Sequence, residues 1–540
     1  MLRSWRDGAW RSITWGRFGR LAAAVARGLR SAGIGAGERV LIVSENRPEF
    51  PIAETALLAI RAVPVPTYVT NTVADHAHVL RDSGARAAIV STAALAAKLA
   101  EAGPPELMVT FERFSVPGIR TIAWADLARD DAPFDDLAAE AATIPSDALA
   151  CLIYTSGTGG APKGVMLSHR AVVANCEGAW ELLGPVQQEN EVYLSFLPLS
   201  HSYEHTAGQF FLLSSGTEVV YSRGLEHLSA DMLAVRPTLM TMVPRVLEVI
   251  RGRMLAQVAR QPGWKQRLFE QAMALGYKRA EGQRLSVAER LLDAALERLV
   301  RRKVRARLGG RLHIVMSGGA RLEPDVGWFF LSLGIPLMQG YGQTEAGPVI
   351  AANVPGEPVR IDTVGRPLKG AEVRIAEDGE ILVRGDLVMT GYWRRPEETA
   401  AVIRGGWLHT GDVGTLDAEG YLSITDRKRD LIVLSGGENV SPARIEGLLV
   451  AEPAIAQAVV HGDGRSALSA LIAASEGYDE VAVAAAVSNV NKRLSVTERI
   501  RKHAVVPAFT IDEGLLTATH KVRRHMVFER YRAVLEQIHK

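Results

Sequence analysis

The sequence predicts an α/β protein built from more than one domain, and three observations support this. The chain has 540 residues, which is more than one hydrophobic core usually serves, so two to four structural units are expected. Helical and strand patterns alternate through the first part of the chain, as in layered parallel sheets. The pattern changes to short strands and turns from about Val364 and changes again after Arg429.

The N-terminal part contains alternating helix and strand signals. Apolar residues recur at helical spacing over 21–29, and the apolar run 39–43 is typical of a buried strand. A second helical run, 52–60, leads into 63–66, and 87–90 predicts another short strand. This order favours parallel pairing between the strands.

A helical segment over about 246–308 interrupts this alternation, and its basic residues far outnumber its acidic ones. Ser286 and Glu289 have the spacing of a capping box that begins a helix. One interpretation is a pair of solvated helices. The other is a surface that approaches anionic lipid headgroups. The sequence leaves both open.

Short strands and turns follow from about residue 364. A hairpin is predicted from 373–375 and 380–384, with a turn between them, and 417–420 forms another turn before the strand 421–424. After Arg429 we expect a strand, a helix, a strand and a basic C-terminal helix. The predicted domains are therefore 1–428 and 429–540.

Composition excludes several classes of protein. Apolar residues make up 47% and charged residues 23%, as in an ordinary globular protein, and the net charge of +2 does not predict a nucleic-acid partner. Two cysteines, Cys151 and Cys176, do not form a disulfide framework, which fits a reducing cytoplasm. Neither a signal peptide nor an apolar run of about 18 residues is evident, so no transmembrane helix is expected.

A glycine-rich segment, 155–164, follows the predicted strand 152–154 and suits polyphosphate binding. Its glycines allow close approach of the backbone, its hydroxyls add hydrogen bonds and its lysine adds positive charge. It is not a Walker A loop, because Pro162 precedes Lys163 and Gly164 follows it. The candidate phosphate-binding residues are Thr155, Ser156, Gly157, Thr158 and Lys163.

Residues 154–164 resemble the signature phosphate loop of the adenylate-forming superfamily, which includes acyl-CoA synthetases, firefly luciferase and the adenylation domains of peptide synthetases. Further motifs follow in that family's order, at 316–320, 340–345 and 407–412. The resemblance covers nearly the whole chain. It implies a large N-terminal domain with layered α/β sheets and a small β-barrel-like part, plus a small mobile α+β C-terminal domain.

The resemblance also implies roles in nucleotide binding. Tyr341 would stack on adenine, Thr344 would contact phosphate and Glu345 would help to hold Mg²⁺, for which a carboxylate is a suitable oxygen ligand. Asp412 would accept hydrogen bonds from the ribose hydroxyls, and Arg427 would contact the nucleotide. The remaining residues implied to line the nucleotide pocket are Gly318, Gly319, Ala320, Gly340 and Gly342.

The C-terminal motif 515–521 resembles the one that carries the family's catalytic lysine, here Lys521, although Ala518 stands where proline is frequent. Lys521 would bridge the substrate carboxylate and the α-phosphate and offset their negative charge. The resemblance further implies a hinge at Arg429. After rotation about this hinge, a loop with Ser435, Gly436 and Gly437 would face the site where coenzyme A (CoA) binds.

The implied reaction uses ATP, CoA, Mg²⁺ and a fatty acid. The acid and ATP would form acyl-AMP and pyrophosphate, and CoA would then release AMP, with Lys521, Thr344 and Glu345 as the catalytic residues. Residues 197–201 and the segment 246–308 are most similar to those of long-chain fatty acid–CoA ligases. His201 would lie near the acyl carboxylate, or it is a structural histidine.

Other functions remain open within and beyond this chemistry. The substrate could be a medium-chain or aryl acid, and the acceptor could be a carrier protein. A nucleotide-binding regulatory protein without turnover is a different class, while a Ser-His-Asp hydrolase is disfavoured because no Gly-x-Ser-x-Gly turn appears. The sequence also leaves open a homodimer and peripheral contact at the inner face of a membrane.

Overall fold

The fold is seen in a computed structural model that describes residues 1–129, 133–155, 161–357, 359–428, 430–436, 438–517 and 521–539. The strands, in chain order, are β1 Leu2–Arg6, β2 Ala9–Ile13, β3 Arg39–Val43, β4 Val63–Thr67, β5 Ala87–Val90, β6 Leu107–Thr110, β7 Arg120–Ala123, β8 Leu149–Thr155, β9 Lys163–Ser168, β10 Val192–Ser195, β11 Glu218–Tyr221, β12 Leu239–Met242, β13 Ile314–Ser317, β14 Leu337–Gly342, β15 Val349–Ala352, β16 Arg366–Pro367, β17 Glu372–Ile375, β18 Glu380–Arg384, β19 Gly391–Tyr392, β20 Ile403–Arg404, β21 Trp407–Leu416, β22 Leu422–Arg427, β23 Ile432–Val433, β24 Asn439–Val440, β25 Ile455–His461, β26 Leu468–Ala474 and β27 Ile500–Val505. The α-helices are α1 Trp15–Ser31, α2 Glu49–Ala59, α3 Val73–Ser83, α4 Ala93–Ala102, α5 Trp124–Leu127, α6 Asp135–Ala141, α7 His169–Leu183, α8 Ser202–His205, α9 Phe211–Ser214, α10 Leu228–Val235, α11 Pro244–Ala259, α12 Gly263–Ala280, α13 Val287–Leu296, α14 Arg302–Ala306, α15 Pro324–Ser332, α16 Pro396–Val402, α17 Pro442–Val450, α18 Glu480–Asn491, α19 Arg524–Arg530 and α20 Arg532–His539.

Two largely parallel sheets form the framework of the N-terminal part. One has the strand order β4-β3-β5-β6-β7, and all its pairs are parallel. The other has the order β16-β15-β14-β13-β12-β10-β11-β1-β2, with antiparallel pairs at its two edges. The predicted parallel pairing and the predicted strands at 39–43 and 87–90 are confirmed. Their near-continuous apolar sequences are explained by burial of both sheet faces.

Helices α1 and α2 join the two sheets in one hydrophobic core. Leu21 and Val25 of α1 pack in the same cluster as Phe50 of α2, Ile42 of the first sheet and Tyr193 of the second. The apolar positions that predicted helices in this part of the chain are therefore the positions that bury its core.

Smaller antiparallel sheets complete the N-terminal part. β9 pairs with both β8 and β19, while β17-β18-β21-β20 form a second sheet with β22 added to β21. The predicted hairpin is confirmed as β17 and β18, with Ile375 opposite Ile381. This second sheet stands where the β-barrel-like part was expected.

The C-terminal part has its own core around the sheet β25-β26-β27, with Ile445 of α17 and Val483 of α18 fully buried in it. The predicted order of strand, helix, strand and helix was wrong, because the structure adds the β23–β24 hairpin and places α18 between β26 and β27. The alanine- and valine-rich sequence of α18 obscures its helical period. The predicted boundary residue, Arg429, lies outside the described residues.

The basic segment is helical, as predicted, and consists of α11 to α14. The capping box is confirmed, because Ser286 Oγ accepts from the Glu289 backbone N–H at 3.3 Å and Glu289 Oε2 accepts from the Ser286 N–H at 2.8 Å. Across the described ranges, no helix has the length and apolar character needed to cross a membrane.

Candidate active site

A cavity of about 570 Å³ lies where the nine-stranded sheet that contains β14, the antiparallel sheet that contains β21 and the C-terminal part meet. This volume is within the range of small-molecule sites. The cavity brings together most of the predicted site residues from distant parts of the sequence. Those that line it are Thr155, Lys163, His201, Gly318, Gly319, Gly340, Tyr341, Gly342, Thr344, Glu345, Asp412, Arg427 and Lys521.

Several predicted residues do not line the cavity. Ala320 is exposed outside it, and so are Ser435 and Gly436 in the turn between β23 and β24. The adenine-pocket role of Ala320 and the CoA-binding roles of Ser435 and Gly436 stay predictions. The other candidates, Ser156, Gly157, Thr158, Arg429 and Gly437, lie outside the described residues.

A buried carboxylate, Asp412, organises the nucleotide side of the cavity. The Tyr341 hydroxyl donates to Asp412 Oδ2 at 2.6 Å, and Arg427 Nε donates to Oδ1 at 3.0 Å from the directly opposite position on β22. Burial and the neighbouring Asp412 hold the pKa of Tyr341 well above its usual range. Because a carboxylate can accept about four hydrogen bonds, Asp412 retains capacity for two ribose hydroxyls.

Two glycines permit close packing in the cavity wall. A Cβ atom on Gly342 would lie 1.9 Å from the carbonyl oxygen of Pro348. A Cβ on Gly318 would lie 3.0 Å from the ring of Tyr203, whose hydroxyl donates to the Met316 carbonyl at 3.0 Å. Any larger residue at Gly342 would therefore displace the backbone that forms the cavity wall.

The opposite side of the cavity carries groups suited to phosphate. Lys163, at the start of β9, forms an ion pair with Glu398 and lies 4.9 Å from the centre of the Tyr392 ring. Both members of this pair are partly exposed, so the pair contributes about 1 kcal/mol or less. Lys163 can therefore exchange Glu398 for a phosphate at little cost. Thr344 Oγ1 lies 2.8 Å from Ser202 Oγ on the same wall.

Glu345 is positioned to hold a magnesium ion. The Tyr392 hydroxyl donates to Glu345 Oε1 at 2.9 Å, which orients the carboxylate towards the cavity that it lines. Within the described parts of the chain, no group of three or more His, Cys, Asp or Glu side chains could form a protein-only metal site. One carboxylate fits Mg²⁺, which usually takes one or two protein carboxylates together with substrate phosphates and water.

Lys521 reaches the cavity from the C-terminal part. Lys521 is exposed and lines the cavity wall, where surrounding protein atoms reduce the hydration of its ammonium. This desolvation, together with the positive charge of Arg427, lowers the pKa of Lys521 to about 8. The Lys521 backbone N–H donates to Thr517 Oγ1 at 3.0 Å, which fixes the base of the side chain.

His201 lies at the start of α8 and faces the same space. Burial lowers the pKa of His201 to about 3, and the charge of Lys521 acts in the same direction, so the imidazole is neutral at neutral pH. Its Nδ1 accepts from the Tyr203 backbone N–H at 3.2 Å. The proton of the neutral ring is therefore on Nε2, which is available to donate to a carboxylate.

Sequence reasoning missed a buried acid next to His201. The Glu204 carboxyl accepts hydrogen bonds from the hydroxyls of Tyr193 at 2.6 Å, Ser195 at 2.7 Å and Thr241 at 2.8 Å. Burial raises the pKa of Glu204 to about 7. The sequence signal for Glu204 was the run of polar residues in which it lies, between two apolar segments. Tyr392 and Glu398, which lie beside Lys163, had no motif to reveal them.

Part of the cavity wall is apolar. These side chains come from α7, α9, the helical turn between α8 and α9, and the neighbouring strands of the second sheet. They include Ala179, Leu183, Ala207, Phe211, Leu239, Ile314, Met316 and Val349. The cavity thus joins a polar region, suited to a nucleotide, to an apolar one.

Comparison with known proteins agrees with this architecture. The model of the AMP-binding enzyme family matches residues 3–393, and that of the AMP-binding enzyme C-terminal domain matches 429–540. The chain therefore belongs to the AMP-binding enzyme family, and the predicted resemblance is confirmed.

Individual relatives cover nearly the whole chain. It is 36% identical to a long-chain-fatty-acid–CoA ligase of Mycobacterium tuberculosis, covering 99% of this chain and 93% of the relative. It is 30% identical to a peroxisomal long chain acyl-CoA synthetase of Arabidopsis thaliana, covering 96% and 80% respectively.

Solved structures show the fold. The o-succinylbenzoate CoA synthetase of Bacillus subtilis, solved with its acyl-adenylate intermediate, matches with a TM-score of 0.71 at 22% identity, covering 97% of this chain and 94% of that one. The adenylation domain of a carboxylate reductase from Mycobacterium chelonae matches with a TM-score of 0.77 at 23% identity, covering 99% and 88%. The predicted fold class, a large N-terminal domain and a smaller C-terminal one, is confirmed.

Proposed function

We propose that this protein is an ATP-dependent long-chain fatty acid–CoA ligase. The observation that carries the proposal is one cavity in which the Asp412 cluster and Lys521 adjoin an apolar wall. The named activities of the relatives from Mycobacterium tuberculosis and Arabidopsis thaliana support it. The protein is accordingly an acid–thiol ligase.

The first half-reaction joins two anions, so it needs positive charge between them. A carboxylate oxygen attacks the α-phosphorus of ATP, and pyrophosphate leaves. In this proposal the Lys521 ammonium lies between the carboxylate and the α-phosphate, while the Nε2 N–H of His201 orients the acid. Lys163 and Thr344 contact phosphate oxygens. Glu345 would hold Mg²⁺, which would supply positive charge to neutralise the triphosphate.

The second half-reaction consumes the mixed anhydride. The thiolate of CoA attacks the acyl carbonyl, the bond to AMP breaks and AMP departs with its electron pair. We propose that Ser435, Gly436 and Gly437 reach the cavity for this step by movement of residues 429–540 relative to 1–428, about Arg429.

The apolar wall favours a long acyl chain. Each methylene that moves from water into an apolar site contributes about 0.8 kcal/mol, so affinity rises steeply with chain length until the wall ends. An acid as short as acetate would leave most of this surface without a partner.

Turnover with a series of acids tests the proposal. Release of AMP and formation of the thioester should be measured with ATP, Mg²⁺ and CoA over saturated acids from acetate to stearate, with benzoate alongside. We expect the highest kcat/KM with long chains. A preference for acetate or benzoate would contradict the long-chain assignment, and thioester formation with a carrier protein instead of CoA would change the acceptor.

Three finer statements stay predictions. They are the cytoplasmic location, the homodimer and the division into domains 1–428 and 429–540. Analytical ultracentrifugation of the purified chain measures directly whether it forms a homodimer.

A further inference from the structure

Helix α13 continues through a π-helical turn, Glu297–Arg301, into α14, and this continuous helix directs apolar side chains into solvent. The side chains of Val287, Leu291 and Leu299 are 75%, 72% and 54% exposed, and Leu292 is 42% exposed. Relative to Leu291, Val287 is four residues before and Leu299 eight residues after, which is the spacing of one helix face. These residues form the outer face of α13–α14.

The opposite side of the same helix is buried and carries both apolar and charged side chains: Leu296 is 1% exposed and packs with Leu275. Arg301 is fully buried and donates to Glu297 Oε2 at 3.0 Å, to the Ala272 carbonyl at 2.9 Å and to Asp293 Oδ1 at 2.5 Å. A surface helix of a globular protein normally buries its apolar side. Here Leu296 and the Arg301 network anchor the helix to the protein, and the outer face is a second apolar face that remains in solvent.

Basic side chains surround the outer face. Arg290, Arg298, Arg302 and Lys303 are exposed, and none of them forms an ion pair with the part of the chain that the structure describes. The acids of this helix, by contrast, are already paired. Glu289 pairs with Lys278 at 2.8 Å, Asp293 pairs with Arg301, and Glu297 pairs with Arg301 and Arg305.

We propose that the outer face of α13–α14 docks on the anionic surface of a phospholipid bilayer. Apolar side chains beside unpaired arginines are the combination that inserts into the boundary between headgroups and acyl chains. Each basic residue near an anionic membrane contributes about 1 kcal/mol. A protein partner would need its own acidic and apolar surface, whereas a bilayer supplies both. Docking requires no turnover, so it can be tested separately from the ligase activity.

Vesicle sedimentation of the full-length chain tests the proposal. We expect the protein to sediment with vesicles of equal parts phosphatidylcholine and phosphatidylglycerol, to remain in solution with phosphatidylcholine alone, and to be released as salt increases. Failure of the unaltered protein to bind the anionic vesicles overturns the proposal.

Two double variants separate the apolar and charged contributions. Leu291→Ser with Leu299→Ser, and Arg298→Glu with Arg302→Glu, should each weaken binding about tenfold or more. Matched controls in the C-terminal part are Val481→Ser, whose side chain is 77% exposed, and Arg501→Glu, which is also exposed. Both controls should bind like the unaltered protein.

Folding and oligomeric state are checked in the same four variants. Acyl-AMP formation from a soluble acid should be unchanged in all of them, which shows that they fold. Light scattering should show the same mass for the unaltered protein and the variants. Unchanged vesicle binding by both double variants overturns the proposal, as does a dimer that only these variants lose, because the face would then join two copies of the chain.

Discussion

At the scale of single residues, the charge of Lys521 should make the proposed adenylation depend on pH. Its pKa is lowered to about 8, so the ammonium needed between two anions is lost as pH rises through 8. Because kcat/KM reports ionisations of the free enzyme, we expect kcat/KM for acyl-AMP formation to fall about tenfold per pH unit above 8. Lys521→Arg should remove this fall, since arginine stays protonated. If kcat/KM of this variant still falls above pH 8, the fall comes from the ionisation of another group.

Removal of the same side chain should separate the two half-reactions. We expect Lys521→Ala to reduce acyl-AMP formation to background, because nothing then offsets the charge of carboxylate and phosphate. Thioester formation from supplied acyl-AMP and CoA should largely persist. Pyrophosphate release and thioester formation are measured separately. Equal loss in both would contradict a role confined to adenylation.

The Tyr341 hydroxyl offers a second test at this scale. Tyr341→Phe removes one of two donors to Asp412, and a hydrogen bond to a charged group contributes about 1.5–3 kcal/mol. We expect ATP to bind about tenfold more weakly, as measured by calorimetry. Tyr421→Phe is the matched control, because its hydroxyl donates to Glu357 at 2.7 Å outside the cavity. A similar loss in both variants would indicate a general effect on the sheet.

Motifs identified the individual candidate residues, and the structure brings most of them together in one cavity. Asp412 and Lys521 lie far apart in sequence, and only the resemblance indicated that they share a cavity. The hydrogen bonds of Glu204 could not be predicted, because its three hydroxyl partners come from β10 and β12 and are adjacent only after folding.

At the scale of elements, the irregular pairing of β14 and β15 depends on a glycine. We expect Gly342→Ala to lower the free energy of unfolding by about 1–3 kcal/mol, because its Cβ would overlap the Pro348 carbonyl. Gly340→Ala is the control from the same strand, since the nearest atoms to its Cβ would be 3.6 Å away. Denaturant unfolding measures both. Equal destabilisation would mean that the loss comes from glycine flexibility and not from overlap.

Elements were predictable where their period was clear. The capping box and the apolar spacing located α13 and α1, and the turn residues located the β17–β18 hairpin. The spacing of apolar residues did not predict helix α18, because its apolar residues are nearly continuous. It also gave no sign that Val287 and Leu291 of α13 are exposed while Leu296 is buried, because that depends on packing against α12.

At the scale of the whole molecule, we propose that the observed arrangement of the two parts of the chain serves adenylation. Lys521 lines the cavity, whereas Ser435 and Gly436 are exposed outside it. Sequence patterns could not predict this placement, because it depends on long-range contacts between the two parts. One is the ion pair between Arg493 and Asp325 at 3.8 Å, and both of its side chains are more than half exposed. Such a pair contributes about 1 kcal/mol or less, so it permits rearrangement.

Cross-linking the two parts in this arrangement should therefore stop the reaction after acyl-AMP has formed. Asp325→Cys and Arg493→Cys, joined by a short bis-maleimide, would hold the two parts together at their exposed ion pair. Cys151 and Cys176 can remain, because burial raises the pKa of both thiols, that of Cys176 to about 12, and keeps them unreactive. The cross-linked protein should still form acyl-AMP and pyrophosphate, while acyl-CoA formation falls about tenfold or more, because the Ser435 loop cannot reach the cavity.

Each single cysteine variant treated with the reagent is the control, and a reducible linker should restore acyl-CoA formation on reduction. Undiminished acyl-CoA formation after cross-linking would show that both half-reactions use this one arrangement, and loss of both would show that it does not support adenylation.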